Sequence, residues 1–190
     1  MNSRLFIILL VIVLSSCDLF STRDVEEPKK TGSNFVPPTT PKLLFDNLRN
    51  SLSEKVSENY MASFVDSAFL NSEFNYIPAS GAEATFQTLS HWGLSDERIY
   101  INNVFSAVGQ SNILLSLTDE FSTPQGDSAF YFYTYALNVP ANNPDFPTVY
   151  QGNVEFTIKL DSRNQWVITK WRDIQIGNLP SWSELRGRFY

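Results

Sequence analysis

One cysteine, Cys17, and one histidine, His91, are all that this 190-residue chain offers of the two side chains most used in metal sites and nucleophilic catalysis. A zinc-type site takes three or four such ligands, so no metal centre is expected. No glycine-rich phosphate loop, GxSxG turn or HExxH pair occurs, and no cofactor is expected. Lys and Arg number 14 against 20 Asp and Glu, for a formal net charge of −6. Gaining affinity from counterion release at phosphates takes clustered basic residues, and those here are few and scattered, which excludes a nucleic-acid partner. The longest apolar run, Leu5–Leu14 (LFIILLVIVL), is ten residues, well short of the roughly 20 that a membrane-spanning helix needs.

That run follows Met1–Arg4, with its one basic side chain, and fits the apolar region of an export signal. The next residues, Leu14-Ser15-Ser16-Cys17, resemble the bacterial lipobox: an aliphatic residue, two small ones, then the cysteine. The resemblance implies a diacylglyceryl group on the Cys17 thiol, cleavage just before it, and acylation of the new amino terminus with a palmitate-type chain. Residues 1–16 are then a lipoprotein signal peptide, and the expected location is a membrane of the bacterial cell envelope. Asp18 resembles an inner-membrane retention signal of some bacteria, a rule that varies between lineages, so the choice of membrane stays open. Several acyl chains anchor a protein stably where one would not. A lipidated Cys17 also leaves no thiol for a disulfide, a metal or catalysis.

Residues 17–41 carry Glu26-Glu27-Pro28-Lys29-Lys30 and Val36-Pro37-Pro38-Thr39-Thr40-Pro41, charged and proline-rich with little to bury. They read as a flexible tether. Residues 42–190 have aromatic residues throughout and are long enough for one domain with its own core.

The first half of that domain has helical spacing. Thr40-Pro41 suits an N-cap followed by proline in the first turn, with Leu44 and Leu48 on one face. Ser51 to Glu54 reads as the capping box of a second helix that carries Val56, Tyr60 and Phe64. Glu73–Ala79 reads as extended, and Thr85–Trp92 as a helix stopped by Gly93. Ser95 is the expected N-cap of a further helix to Val108, with Leu94 and Ile99 as its hydrophobic staple. The period then changes. Asn112–Asp119, Ser128–Val139, Tyr150–Leu160 and Gln165–Ile176 are rich in β-branched and aromatic residues, with turns at Thr123-Pro124-Gln125-Gly126 and Asp161–Asn164. Helices followed by a four-strand meander imply an α+β fold, N-terminal helices packed on a curved antiparallel sheet.

Within the last hairpin, placing Leu160 opposite Gln165 sets Glu155 against Lys170 and gathers Val154, Phe156 and Ile158 on one side with Trp171. In that register Trp171, Asp173 and Gln175 point inward beside Tyr150 and Gly152. A carboxylate on the buried face needs partners, so Asp173 is either a structural acceptor or a functional acid.

Trp166, Ile168, Trp171 and Asp173 form a WxIxxWxD pattern similar to the last strand of many bacterial members of the nuclear transport factor 2-like superfamily, which includes SnoaL-like cyclases and ketosteroid isomerases. The resemblance spans residues 42–190 and implies a cone-shaped, cystatin-like fold. It also implies a cavity between helices and sheet, and a homodimer formed through the sheet. The candidate pocket is then Asp173, Tyr150, Trp171 and Gln175, with Asp173 as base and Tyr150 as donor if the chain is an isomerase or lyase. His91, on a helix beside Trp92, reads as a helix-end residue. The expected reading is a noncatalytic envelope lipoprotein whose cone binds a small apolar ligand or a protein partner; the enzyme is the alternative. Tyr131, Tyr133 and Tyr135 share one face of a strand, as core or as a partner surface. Ser181 and Glu184 pair as the cap of a terminal turn ended by Gly187, whose Trp182 either covers the sheet or recognises a partner.

Overall fold

The computed structural model describes residues 33–190. The expected export signal, Cys17 and the first part of the expected tether lie outside the described residues. The order is α1 (Pro41–Glu54), α2 (Ser57–Met61), β1 (Asn75–Ile77), α3 (Ala82–Thr85), a 3-10 turn (Gln87–His91) and α4 (Leu94–Val108). Four long strands follow, β2 (Leu114–Gln125), β3 (Ser128–Asn138), β4 (Val149–Leu160) and β5 (Trp166–Gln175), and then α5 (Trp182–Arg188). The sheet runs β1-β5-β4-β3-β2, antiparallel except for β1, which lies parallel to β5. The fold is α+β with a curved, unclosed sheet, as the sequence pattern implies, plus the short fifth strand β1 from the Glu73–Ala79 segment.

Thr40 caps α1, its hydroxyl accepting the Leu43 N–H, and Pro41 occupies the first turn. Leu44 and Leu48 are fully buried. Ser51–Glu54 does not start a second helix: α1 runs through it and ends at Lys55 in the left-handed conformation. The 85–92 segment forms only a 3-10 turn, and α4 starts after Gly93, whose N–H donates to the Asp96 carboxylate; Ser95 is already inside the helix. Residues 33–40 lie against the domain. Asn47 accepts the Val36 N–H and donates to the Val36 carbonyl, and Pro38 is buried with its carbonyl accepting the Trp166 N–H.

The β2–β3 turn falls later than its sequence suggested. Pro124 sits in β2, an edge strand that tolerates a missing donor, and the loop is Gly126-Asp127, with Gly126 at φ 63°.

The register of the last hairpin also differs. Leu160 pairs Trp166 and Ile158 pairs Ile168; Thr169 is then an extra residue on β5, its hydroxyl donating to the Thr157 carbonyl, and beyond it Phe156 faces Trp171 and Val154 faces Asp173. Glu155 therefore meets Arg172 rather than Lys170. The pairing is one residue off the expected register at the turn, and the bulge adds a second, so beyond Thr169 the shift is two residues and Trp171 and Asp173 still point inward.

Among the described residues no helix is long and apolar enough to cross a membrane.

Candidate functional site

The space between helices and sheet is occupied by side chains, and α5 places several of its own among them. Trp182, Leu185 and Arg186 of this seven-residue helix are fully buried. The Trp182 ring packs edge-on against Trp171 at 4.6 Å, and Trp171 packs edge-on against Phe156 at 4.7 Å. Trp182 is a core residue, which agrees with its reading as a cover for the sheet and not with the alternative of a recognition residue. Gly187 does not stop the helix, which continues to Arg188; it is there because the Phe86 ring lies where a side chain would be.

Asp173 holds the start of α5. Its Oδ1 accepts the Tyr135 hydroxyl at 2.8 Å, and its Oδ2 accepts the Ser183 N–H at 2.7 Å and the Ser183 hydroxyl at 2.6 Å. With the Ser183 proton spent on Asp173, the same Oγ accepts from Tyr76 Oη and the Ala79 N–H. Tyr135 in turn accepts the Trp182 N–H at 2.7 Å. A helix start has unpaired N–H groups and a partial positive charge, so a carboxylate with two hydroxyls there meets both needs. Burial and the neighbouring Asp173 charge push the Tyr135 pKa well above its ordinary value. Gly152, opposite Gln175, lets Tyr135 reach this position: a Cβ at Gly152 would lie 2.7 Å from its hydroxyl.

A second buried cluster lies deeper. Glu97 of α4 accepts four hydrogen bonds: from Tyr60 Oη (2.5 Å), Trp92 Nε1 (2.6 Å), Arg186 Nε (2.8 Å) and Arg186 Nη2 (2.7 Å). The Arg186 guanidinium lies 4.3 Å from the Tyr76 ring centre and 4.2 Å from that of Trp171. Burial works against its charge, but Glu97 together with Tyr76 and Tyr60 holds the Arg186 pKa above its usual value. Burial likewise raises Tyr60, Tyr76 and Tyr100.

Of the sequence-derived pocket, Asp173 and Trp171 are inside as expected, but the four residues do not converge. Tyr150 is buried with its hydroxyl unpaired and does not bond Asp173; burial pushes its pKa up to about 12. Gln175 is exposed and donates to the Leu179 carbonyl, because β5 ends there and the chain turns out. Tyr135, Ser183, Glu97 and Arg186 are what the sequence reading missed as polar partners. Tyr135 carried a signal, as the member of the inward tyrosine stripe that pairs with Gly152 across β3 and β4. The stripe itself is core: Tyr133 and Tyr135 are buried and Tyr131 stacks on Tyr133. His91 is exposed at the end of the 3-10 turn.

Depressions open at the surface instead. One of about 310 Å³ borders Asp173 from outside, between Ile77, Ser80, Arg172 and Gly177. Another of about 770 Å³ lies between Phe35, Met61, Phe64, Leu94, Arg98 and Arg163. Among the described residues no group of three or more His, Cys, Asp and Glu is placed to hold a metal ion.

No family model matches the chain, and no curated protein matches it. Solved structures do resemble it. An NTF2-like protein of unknown function from Pseudomonas putida aligns with a TM-score of 0.53 at 11% identity, over 72% of this chain and 84% of that one. A candidate dehydratase of the NTF2-like family from Streptomyces avermitilis aligns with a TM-score of 0.52 at 12% identity, over 72% and 93%. An NTF2-like protein with a cystatin-like fold from Novosphingobium aromaticivorans gives 0.51 at 11% identity, over 71% and 79%. A curved sheet with helices on its inner face, shared with these proteins, defines the NTF2-like, cystatin-like cone fold, and this chain has that fold. At such identities the likeness reaches the fold alone.

Proposed function

We propose that this chain is an envelope lipoprotein, anchored through a lipid on Cys17, whose cone domain is noncatalytic and works by binding a protein partner from outside its packed interior. The observation that carries the noncatalytic part is the state of Asp173, the carboxylate that the sequence resemblance casts as base. It is 2% exposed, both of its oxygens hold the α5 start, and Tyr150 is not within its hydrogen-bond reach. A general base must reach the proton it removes, and here α5 stands where a substrate would. The filled interior also favours a partner over a small apolar ligand inside the cone. On the outer face of the sheet Phe121 is 62% exposed, paired with Phe132 across β2 and β3, and exposed aromatic residues suit partner contacts.

Two measurements on the full chain in its own membranes test this reading. An alkyne-tagged fatty acid should label the wild type and not Cys17→Ser, and a photoreactive residue at position 121 should give a discrete protein adduct. Turnover of a small molecule that is lost in a folded Asp173→Asn variant would overturn the noncatalytic reading. Labelling that persists in Cys17→Ser would overturn the anchor.

A further inference from the structure

The setting of Arg186 has the parts of a cation receptor. Tyr76 and Trp171 approach the guanidinium carbon at 4.3 and 4.2 Å, with Tyr100 and Trp182 at 5.4 and 5.7 Å. Glu97 grips it with both oxygens, at 2.7 and 2.8 Å. The carboxylate is itself braced by Tyr60 and Trp92, which fixes the fork before the cation is considered. Except for Trp182, all these groups come from outside the helix that carries Arg186: Tyr60 from α2, Tyr76 from β1, Trp92, Glu97 and Tyr100 at or in α4, and Trp171 from β5. The arginine arrives on the terminal segment, after an outlying loop that exposes Ile176 and Leu179.

We propose that the interior of this cone is a guanidinium-binding site whose resident ligand is the chain's own Arg186. The chemistry selects a planar cation with parallel N–H groups: a carboxylate fork fits guanidinium in two bonds, and flat aromatic faces stack on it, whereas an ammonium ion offers neither match. Covalent attachment holds Arg186 at a high effective concentration, so the wild-type site is closed to competing guanidinium compounds. Shortening residue 186 opens it to them. This inference concerns the interior alone and does not depend on the anchor or the partner.

The test is Arg186→Ala in the full chain, titrated with methylguanidinium up to about 20 mM, far below denaturing guanidinium concentrations. The expected result is a saturable rise in Tm of about 3 °C or more. A saturable change in tryptophan fluorescence should accompany it, because Trp171 and Trp182 wall the site. Methylammonium should bind at least about tenfold more weakly. The response should be absent from the wild type and lost in Glu97→Gln/Arg186→Ala. Should Arg186→Ala not fold alone, refolding in methylguanidinium and not in methylammonium is the expected result. A variant that neither binds nor is rescued, or that responds equally to both cations, overturns the proposal. So does a wild type that responds as strongly.

Discussion

The Tyr135 hydroxyl sits between Asp173 and the N–H of Trp182, donating to the first at 2.8 Å and accepting from the second at 2.7 Å. One phenol thus joins the middle of the sheet to the start of the helix that fills the cone. Tyr135→Phe leaves the helix N–H and one Asp173 oxygen without their partner and is expected to cost about 1 to 3 kcal/mol. Asp173→Asn puts a donor where only acceptors fit and should cost a similar amount. In a double-mutant cycle by urea unfolding, a coupling of about 0.5 to 3 kcal/mol is expected. Additive effects would mean that the bond contributes nothing.

Gly187→Ala is expected to destabilise the domain by about 1 to 3 kcal/mol, the usual cost of forcing atoms into a packed site. A Cβ there would overlap the Phe86 ring. Gly187→Ala/Phe86→Ala should regain part of the loss relative to Phe86→Ala alone. An unchanged Tm in Gly187→Ala would contradict the packing described.

Alkaline stability follows from the buried tyrosines. Burial raises Tyr60, Tyr76, Tyr100 and Tyr135 above the ordinary value, and Tyr150 to about 12. Unfolded tyrosine titrates near about 10. A pKa raised in the folded state means that the neutral form is favoured by folding, so the stabilisation is complete below about pH 10 and is lost as pH rises toward the folded values. Tyrosinate absorbance of these residues should appear together with the loss of circular dichroism. Full tyrosine titration while the fold persists would contradict their burial.

Asp161 gives the opposite sign. Burial works against its charge, but the Arg163 side chain and the N–H groups of Arg163 and Gln165 together draw its pKa below the usual aspartate value. Its contribution is present at neutral pH and is lost as pH falls through the folded pKa, below the ordinary aspartate range. The stability difference between the wild type and Asp161→Asn, measured by urea unfolding, should therefore shrink as pH falls from 7 toward about 3. A difference independent of pH would contradict this role in the β4–β5 turn.

Much of the fold is legible because local rules act alone there. Thr40-Pro41 caps α1, and alternating β-branched and aromatic residues mark the four long strands. Register is harder to read. Lys170 and Arg172 lie on the same face, so charge pairing with Glu155 cannot distinguish them, and nothing in Trp166–Gln175 announces an extra residue at Thr169. Asp173 reads as inward despite this, since a two-residue shift preserves the face. Its partners are not legible locally, for they come from distant segments: Tyr135 on another strand and Ser183 on α5. Glu97 and Arg186 each have an ordinary local role, a first-turn acid and a last-turn base, that conceals a buried pair 89 residues apart in sequence.

α5 is a fixed part of the core and fills the cone. Native-state hydrogen exchange at the amides of Trp182 and Ser183, which donate to Tyr135 and Asp173, tests this most directly. Exchange only through global unfolding, with the same free energy as the central strands, is the expected result. Exchange through a smaller local opening, with the strands still protected, would show α5 leaving the cone and the interior becoming available to a ligand, and would contradict the account.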